Sequence, residues 1–169
     1  MLSTALSALL ALALLALDQW VKRRIALTLP LGETRPLLPG FVELKTVHNY
    51  GAAWSSFSGM RWMLVAATSL IVLAVALLLI RRVIRHPLGV LAGCLIVSGG
   101  LGNILDRLRL GYVIDMFNFQ FINYPVFNVA DMCIVCGCVL GLVYYQWFYE
   151  KCDKRGKADG NPDAPSGGG

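Results

Sequence analysis

Four long apolar segments constrain the fold of this chain most strongly. They lie at residues 1–24, 62–80, 88–105 and 129–149. Each approaches the roughly 20 residues that a helix needs to cross about 30 Å of hydrocarbon. Only 15% of the residues are charged, whereas a soluble domain is typically about 25% charged. The sequence therefore predicts an all-α membrane protein with four transmembrane helices.

The segments between the apolar runs indicate a small β-structure. Residues 26–61 are polar and interrupted by prolines, which disfavours a helix and indicates an extramembrane loop. Within this loop, residues 41–47 have the length and the branched residues of a strand, and Asn49 and Gly51 are typical turn formers. Aromatic and polar residues alternate at residues 116–121, which is the period of a half-buried strand. We expect a small β-cradle outside the membrane.

The length and the charge pattern predict the domain organisation and the orientation. One four-helix bundle uses most of the chain, so we expect a single domain at residues 1–150 that includes the loop. The polar, glycine-rich tail at residues 151–169 is expected to be disordered. The short arginine-rich connector at residues 81–87 and this tail carry the charges that weigh most in the positive-inside rule. We place both termini in the cytoplasm and the β-cradle on the extracytoplasmic side. The first helix is expected to be retained, because no small-residue cleavage pattern precedes Asp18.

Alternating transmembrane helices bring the polar residues to one membrane face. The first and third helices end there, and the second and fourth begin there. Asp18 and Lys22 are four residues apart on one helical face, a spacing that allows them to pair. The residues gathered at this face are Asp18, Lys22, Asn49, Asn103, Asp106, Arg107, Asp115 and Asp131.

Composition argues against several classes of function. The net charge of +5 comes from short groups of Lys and Arg that flank apolar runs, so a nucleic-acid-binding face is not expected. The five cysteines are an odd number and most lie in apolar runs, which disfavours a disulfide framework. Cys133 and Cys136 form a CxxC pair without the further ligands that zinc requires. We expect neither a metal nor a cofactor.

Asp115 and Asp131 are the candidate catalytic residues. An aspartate near the hydrocarbon costs roughly 2.5–3.5 kcal/mol on insertion scales, so its presence there favours a functional role. Two carboxylates within reach of each other share one proton, and such a pair can act as acid and base in peptide hydrolysis. The residues alone leave two alternatives open: a proton relay in a transporter, and a structural ion pair with Arg107 or Arg109.

Five separated motifs carry a resemblance to a known family. They are DQWVK at residues 18–22, NYGAAW at residues 49–54, GGLGNILDR at residues 99–107, VID at residues 113–115 and PVFNVAD at residues 125–131. In this order the chain resembles the lipoprotein signal peptidases, the signal peptidase II family, over about residues 1–149.

The resemblance implies an aspartic endopeptidase of the bacterial plasma membrane. Such an enzyme removes the signal peptide of a prolipoprotein, cutting before a cysteine that carries diacylglycerol, and is inhibited by the cyclic peptide globomycin. Membrane lipids are then natural partners. By motif, Asp115 and Asp131 are the catalytic dyad, and Asp18, Lys22 and Asp106 are structural support. The positions implied to surround substrate or inhibitor are Asn49, Gly51, Gly99, Asn103, Arg107 and Asn128.

Some positions depart from the family pattern or keep a second interpretation. Val21 and Trp54 stand where the family often has a hydroxyl residue and Phe, and Met132 and Cys133 replace small polar residues after the second aspartate. The glycines at residues 99–102 either leave a lipid groove or tighten helix packing. The three candidate asparagines either bind peptide or cap local structure. A non-catalytic lipid-binding scaffold remains the alternative function.

Overall fold

The computed structural model describes residues 2–52, 54 and 56–154; for residues 2–5, 151 and 154 it describes the backbone alone. The elements in chain order are helix α1 (Leu2–Thr28), strands β1 (Thr34–Leu38) and β2 (Val42–Asn49), helices α2 (Arg61–Ile80) and α3 (Pro87–Arg109), strand β3 (Val113–Phe119), helix α4 (Val129–Trp147) and a π-helical turn (Tyr149–Lys154).

Helix α3 is the centre of the helical bundle, and it packs against α1, α2 and α4. In the most apolar stretch of α3, 56% of the residues are buried inside the protein, whereas only 6% are buried in the corresponding stretch of α2. Small residues allow this close packing: a Cβ on Gly93 would lie 2.9 Å from Leu79 of α2, and one on Gly137 would lie 2.9 Å from the carbonyl oxygen of Ala92. The site residues on α3 therefore lie on a helix that packs against three others.

Three helices among the described residues, α2, α3 and α4, are long and apolar enough to cross a membrane. The structure thus confirms the prediction of a mostly helical protein, in which these three helices have the length and apolar composition of membrane spans. Helix α1 extends to Thr28 instead of ending near Arg24, and it exposes large apolar side chains such as Leu9 and Leu12. That α1 is a fourth span stays a prediction.

The β-structure is a three-stranded antiparallel sheet in the order β1-β2-β3. The strand expected at residues 41–47 is present as β2, whereas β1 was missed because it contains Pro36, which an edge strand tolerates. Strand β3 begins at Val113, earlier than the aromatic alternation indicated, and it contains Asp115. The position of the sheet relative to a membrane stays a prediction.

The far end of the bundle closes with the π-helical turn. Asp153 is buried and accepts hydrogen bonds from the Tyr144 hydroxyl and from the backbone N–H groups of Arg85 and His86. Residues 151–154 belong to this turn, although the sequence predicts disorder there, and residues 155–169 lie outside the described residues. The π-helical turn thus packs on the α2–α3 connector.

Candidate active site

Asp131 lies in the first turn of α4, where it forms a capping box with Asn128. The Asn128 side-chain oxygen accepts from the Asp131 N–H at 2.9 Å, and the Asn128 N–H donates to Asp131 Oδ2 at 3.2 Å. Capping boxes satisfy backbone donors at a helix start, so this arrangement follows from local sequence. The Asp131 residue is half-buried.

Asp115 points into the same region from strand β3, and only 2% of it is exposed. Its Oδ1 accepts from the Asn128 side chain at 2.6 Å, and its Oδ2 accepts from the Asn49 side chain at 2.9 Å. Phe127 pairs with Phe117 of β3 through backbone hydrogen bonds, and this pairing places Asn128 beside the strand. Asn128 therefore contacts both carboxyl groups that the sequence singled out.

The surroundings of Asp115 favour its protonated form. Burial, and then the charge of Asp131, raise the pKa of Asp115 from its usual 3.8 to about 7. The hydrogen bonds from Asn49 and Asn128 and the charge of Lys22 act in the opposite direction, because each stabilises the carboxylate. Near neutral pH the pair can therefore hold one proton, as acid–base chemistry requires.

Asn103 connects the acids to a buried cation. Its side-chain N–H donates to Asp131 Oδ1 at 2.8 Å, while its oxygen accepts from Lys22 Nζ at 3.0 Å and from the Asn128 side chain at 3.3 Å. Since an ammonium group can only donate, the Lys22 contact fixes which end of the Asn103 amide faces Asp131. The side-chain N–H of Asn103 is thus held toward Asp131.

Lys22 is 2% exposed and forms ion pairs with Asp18 at 2.9 Å and with Asp106 at 3.0 Å. The first pair is the one that the helical spacing predicted. Each of these acids also accepts a backbone N–H: Asp18 from Ala130 at 2.8 Å, and Asp106 from Ile114 at 3.3 Å. The ion cluster therefore holds the residue that precedes each candidate catalytic aspartate.

Gln19 is a member of this cluster that sequence reasoning missed. Its side-chain nitrogen lies within hydrogen-bonding distance of Asp106 Oδ1 (3.0 Å), Asp18 Oδ2 (3.2 Å) and the Gly102 carbonyl (3.3 Å). Gln19 lies next to Asp18 in the DQWVK motif but is off the Asp18–Lys22 face, and a pairing rule based on four-residue spacing passes over it. Its position within the motif was the available signal.

Arg107 and Asn49 hold the loop that follows β2 above the acids. Arg107 is 8% exposed and donates to the Gly51 carbonyl at 2.7 Å. The Asn49 side chain accepts from the Gly51 N–H at 2.9 Å and donates to the Ala52 carbonyl at 3.3 Å. These residues thus lie beside the dyad, as expected, and in this structure their bonds are to the protein itself. The contacts of Asn49 are compatible with both of its interpretations, local capping and substrate binding.

The glycines of α3 lie at helix contacts. A Cβ on Gly99 would collide with the Ala130 carbonyl oxygen, one on Gly100 would collide with Val72, and one on Gly102 would lie 2.5 Å from Asp18 Oδ2. Of the two interpretations left open by the sequence, these contacts favour packing. Gly99 in particular sets the distance between α3 and the first turn of α4.

The other reactive side chains lie elsewhere. His48 stacks on Tyr112, and His86 accepts the Leu88 N–H as the N-cap of α3. The five cysteines are free thiols. Among the residues that the structure describes, no group of three or more His, Cys, Asp and Glu side chains is arranged to hold a metal ion.

The chain is similar in sequence to known proteins over most of its length. The sequence profile described as signal peptidase (SPase) II matches residues 10–148. Lipoprotein signal peptidase of Lactiplantibacillus plantarum is 39% identical over 137 residues, covering 80% of this chain and 90% of that protein. The protein of the same name from Enterococcus faecalis is 37% identical over 149 residues, covering 88% and 92%.

Two solved structures share the fold. Each is described as a bacterial membrane enzyme studied by the in meso method, one at 2.3 Å and one at 1.9 Å resolution. The first superposes with a TM-score of 0.80 at 25% identity and covers 95% of this chain and 94% of its own. The second superposes with a TM-score of 0.78 at 28% identity, with coverages of 85% and 94%.

Proposed function

This chain belongs to the signal peptidase II family, and from that premise we propose that Asp115 and Asp131 are its catalytic dyad. The protein is a membrane-embedded protease that removes signal peptides from prolipoproteins. The observation that carries the proposed dyad is the position of Asn128 between the two acids: its side chain donates to the Asp115 carboxyl group, and its backbone N–H donates to the Asp131 carboxyl group. A non-catalytic scaffold is not favoured, because the matched relatives are peptidases.

The dyad supplies both halves of acid–base catalysis. The ionised carboxylate takes a proton from water as the water oxygen attacks the peptide carbonyl, and the protonated carboxyl donates to the carbonyl oxygen. When the tetrahedral intermediate collapses, the departing amine takes a proton from the pair. The pKa of Asp115 near 7 supports this cycle, because one proton is still held by the pair at neutral pH.

We assign substrate contacts to the residues that surround the dyad. Arg107 has a planar set of donors suited to a peptide carbonyl or a lipid ester, and the amides of Asn49, Asn103 and Asn128 can pair with an extended peptide. The Gly51 backbone lies between Arg107 and Asn49, where it can line the substrate path. Gly99 supports the site through the α3–α4 contact.

We further propose that the site lies at the extracytoplasmic face of the bacterial plasma membrane. Both acids lie at that face if α1 is a fourth span, with the arginine-rich α2–α3 connector and both termini in the cytoplasm. A substrate anchored by diacylglycerol keeps its scissile bond near headgroup depth. The end of α3 and the start of α4 are at the matching depth, and the sheet forms a cradle above them.

The experiment is cleavage of a prolipoprotein by the purified protein in detergent, with and without the diacylglyceryl group on its cysteine. Mass spectrometry of the products locates the cut. We expect one cut, directly before the modified cysteine, and inhibition by globomycin. Equal cleavage of the unmodified precursor would exclude the lipid requirement, and binding without any cleavage would restore the scaffold interpretation.

A further inference from the structure

The side-chain amide of Asn103 lies between a cation and a carboxyl group. Its oxygen accepts from Lys22 Nζ at 3.0 Å, and its nitrogen donates to Asp131 Oδ1 at 2.8 Å. An ammonium group can only donate, so the amide oxygen must face Lys22. We propose that Lys22, acting through Asn103, is a positioning residue that keeps Asp131 ionised as the base and leaves Asp115 as the acid. This inference rests on the proposed function.

The orientation of the Asn103 amide decides which form of Asp131 it stabilises. An amide N–H donates to a carboxylate, whereas an amide oxygen accepts from the hydroxyl of a protonated carboxyl group. The Asn128 side chain holds the same orientation of Asn103 with a longer bond of 3.3 Å, and Lys22 supplies the shorter, charge-assisted contact. Lys22 therefore presents a donor to Asp131, which matches its ionised form.

The start of helix α4 favours the same form of Asp131. Asp131 is the third residue of this helix, and its Oδ2 accepts from the Asn128 N–H at 3.2 Å. The first turn of a helix carries partial positive charge, which stabilises an ionised carboxyl group there. Each oxygen of Asp131 thus receives a donor, one from Asn103 and one from the backbone.

The surroundings of Asp115 differ from those of Asp131. Asp115 lies in strand β3 and is 2% exposed, and it accepts from the neutral amides of Asn49 and Asn128. The Asn49 amide is oriented by the neutral backbone N–H of Gly51, where Asn103 is oriented by a cation. Burial disfavours the charged form, in accord with the rise in the pKa of Asp115 to about 7. When the pair holds one proton, that proton therefore rests on Asp115.

The net charge around the pair does not make this choice. The charged groups next to the two aspartates come from α1 and α3, and they are Asp18, Lys22, Asp106 and Arg107. Two of these groups are cations and two are acids, so their charges cancel. The charge of Arg107 acts on both aspartates. The selection therefore comes from the direction of the contacts, above all that of the Asn103 amide.

This assignment gives each proton transfer one donor and one acceptor. Asp131 takes a proton from water as the water oxygen bonds to the scissile carbonyl carbon, and Asp115 gives its proton to the carbonyl oxygen. When the C–N bond breaks, Asp131 passes the proton that it took to the departing amine. One hydroxyl of the intermediate returns its proton to Asp115 as the carbonyl re-forms. The pair thereby regains its starting form.

The test is the pH dependence of kcat/KM for prolipoprotein cleavage, measured from about pH 4 to about pH 9. The ascending limb reports the base, and the descending limb reports the acid. Asn103→Ala removes a donor from ionised Asp131, so the ascending limb should move to higher pH by about one unit or more. The descending limb should stay near pH 7, because it reports Asp115.

Two further substitutions by alanine serve as comparisons. Asn49→Ala removes a donor from Asp115, so it should move the descending limb and leave the ascending limb in place. Ser98→Ala is the matched control on α3, because Ser98 is buried and its hydroxyl donates to the Leu95 carbonyl. We expect Ser98→Ala to move neither limb.

Two variants at Lys22 test the charge itself. Lys22→Gln removes the cation and should move the ascending limb in the same direction as Asn103→Ala. Lys22→Arg keeps a cation and should return the limb toward its position in the unaltered protein. Thermal unfolding shows which variants are folded, and Asn103→Ala decides alone if Lys22→Gln is not.

The outcomes separate this inference from the proposed function. An ascending limb that stays in place in Asn103→Ala, or a descending limb that moves instead, would overturn the assignment while both aspartates remain required for cleavage. Absence of cleavage by the unaltered protein would overturn the proposed function and this inference with it.

Discussion

Oδ1 of Asp18 accepts a 2.8 Å hydrogen bond from the backbone N–H of Ala130, the residue directly before Asp131. Asp106 makes the corresponding contact to Ile114, directly before Asp115. Because Lys22 is ion-paired with both supporting acids, one buried cation links the backbone positions of the two proposed catalytic residues. The relative position of the two aspartates therefore depends on the ion cluster of Asp18, Lys22 and Asp106, which takes no part in the proposed reaction.

Replacing Lys22 by methionine should destabilise the protein strongly. The variant leaves Asp18 and Asp106 buried without their cation, and breaking a buried ion pair costs about 3–5 kcal/mol. Thermal unfolding in detergent measures the loss, and Arg23→Met, an exposed neighbour on α1, serves as the control. An unchanged melting temperature in Lys22→Met would contradict the role of the cluster.

The pH dependence of cleavage should show a descending limb near pH 7. Asp115 is protonated below its pKa of about 7 and ionised above it, and catalysis requires one proton on the pair. We expect kcat/KM to fall about tenfold per pH unit above this midpoint. The measurement is initial rates across pH 5–9 at fixed ionic strength, a range of roughly two units on each side of the pKa. A limb centred near pH 4 would show that Asp115 has the pKa of an ordinary carboxyl group.

Replacing Asn49 by alanine should move this limb upward. The 2.9 Å hydrogen bond from Asn49 stabilises the ionised form of Asp115, so its removal raises the pKa further. Hydrogen bonds to charged groups contribute about 1.5–3 kcal/mol, equivalent to a shift of about one pH unit or more. Asn118→Ala is the control, because the Asn118 amide donates to Glu43 and not to the dyad. A shift of the limb to lower pH would contradict the inference that Asn49 stabilises the ionised form of Asp115.

Gly99→Ala tests whether this glycine packs helices or lines the substrate path. The added Cβ would collide with the Ala130 carbonyl and lie 2.9 Å from Ile134, so α3 and α4 must separate. We expect a loss of stability of about 1–3 kcal/mol and reduced cleavage. Gly141→Ala, whose Cβ would have its nearest neighbour at 3.9 Å, is the control. Unchanged stability with a raised KM alone would assign Gly99 to substrate binding.

Much of this architecture could be predicted because it follows from local sequence. Long apolar runs identify helices, the spacing of Asp18 and Lys22 predicts their ion pair, and Asn128 with Asp131 forms a capping box within four residues. Alternation of helix direction was sufficient to bring both aspartates to one end of the bundle.

The rest depends on contacts between distant parts of the chain. The pairing of Lys22 with Asp106, and the contacts of Gln19 with Asp106 and the Gly102 carbonyl, require α1 and α3 to pack in one register, which no local pattern specifies. Pro36 is tolerated in β1 because β1 is an edge strand of the sheet. The position of a strand within a sheet depends on tertiary structure. Asp153, in a segment predicted to be disordered, is buried through its contact with Tyr144.

The most direct test of the account is single-turnover cleavage of the diacylglyceryl-modified prolipoprotein by Asp115→Asn and Asp131→Asn, with substrate binding measured in parallel. Glu43→Gln is the control, because Glu43 is a β2 acid bonded to Asn118 and Gln120, outside the dyad. We predict that each aspartate variant binds substrate but cleaves it about 10²- to 10⁴-fold more slowly, or not measurably, while Glu43→Gln cleaves normally. Cleavage at the unaltered rate by either aspartate variant would contradict the proposed dyad.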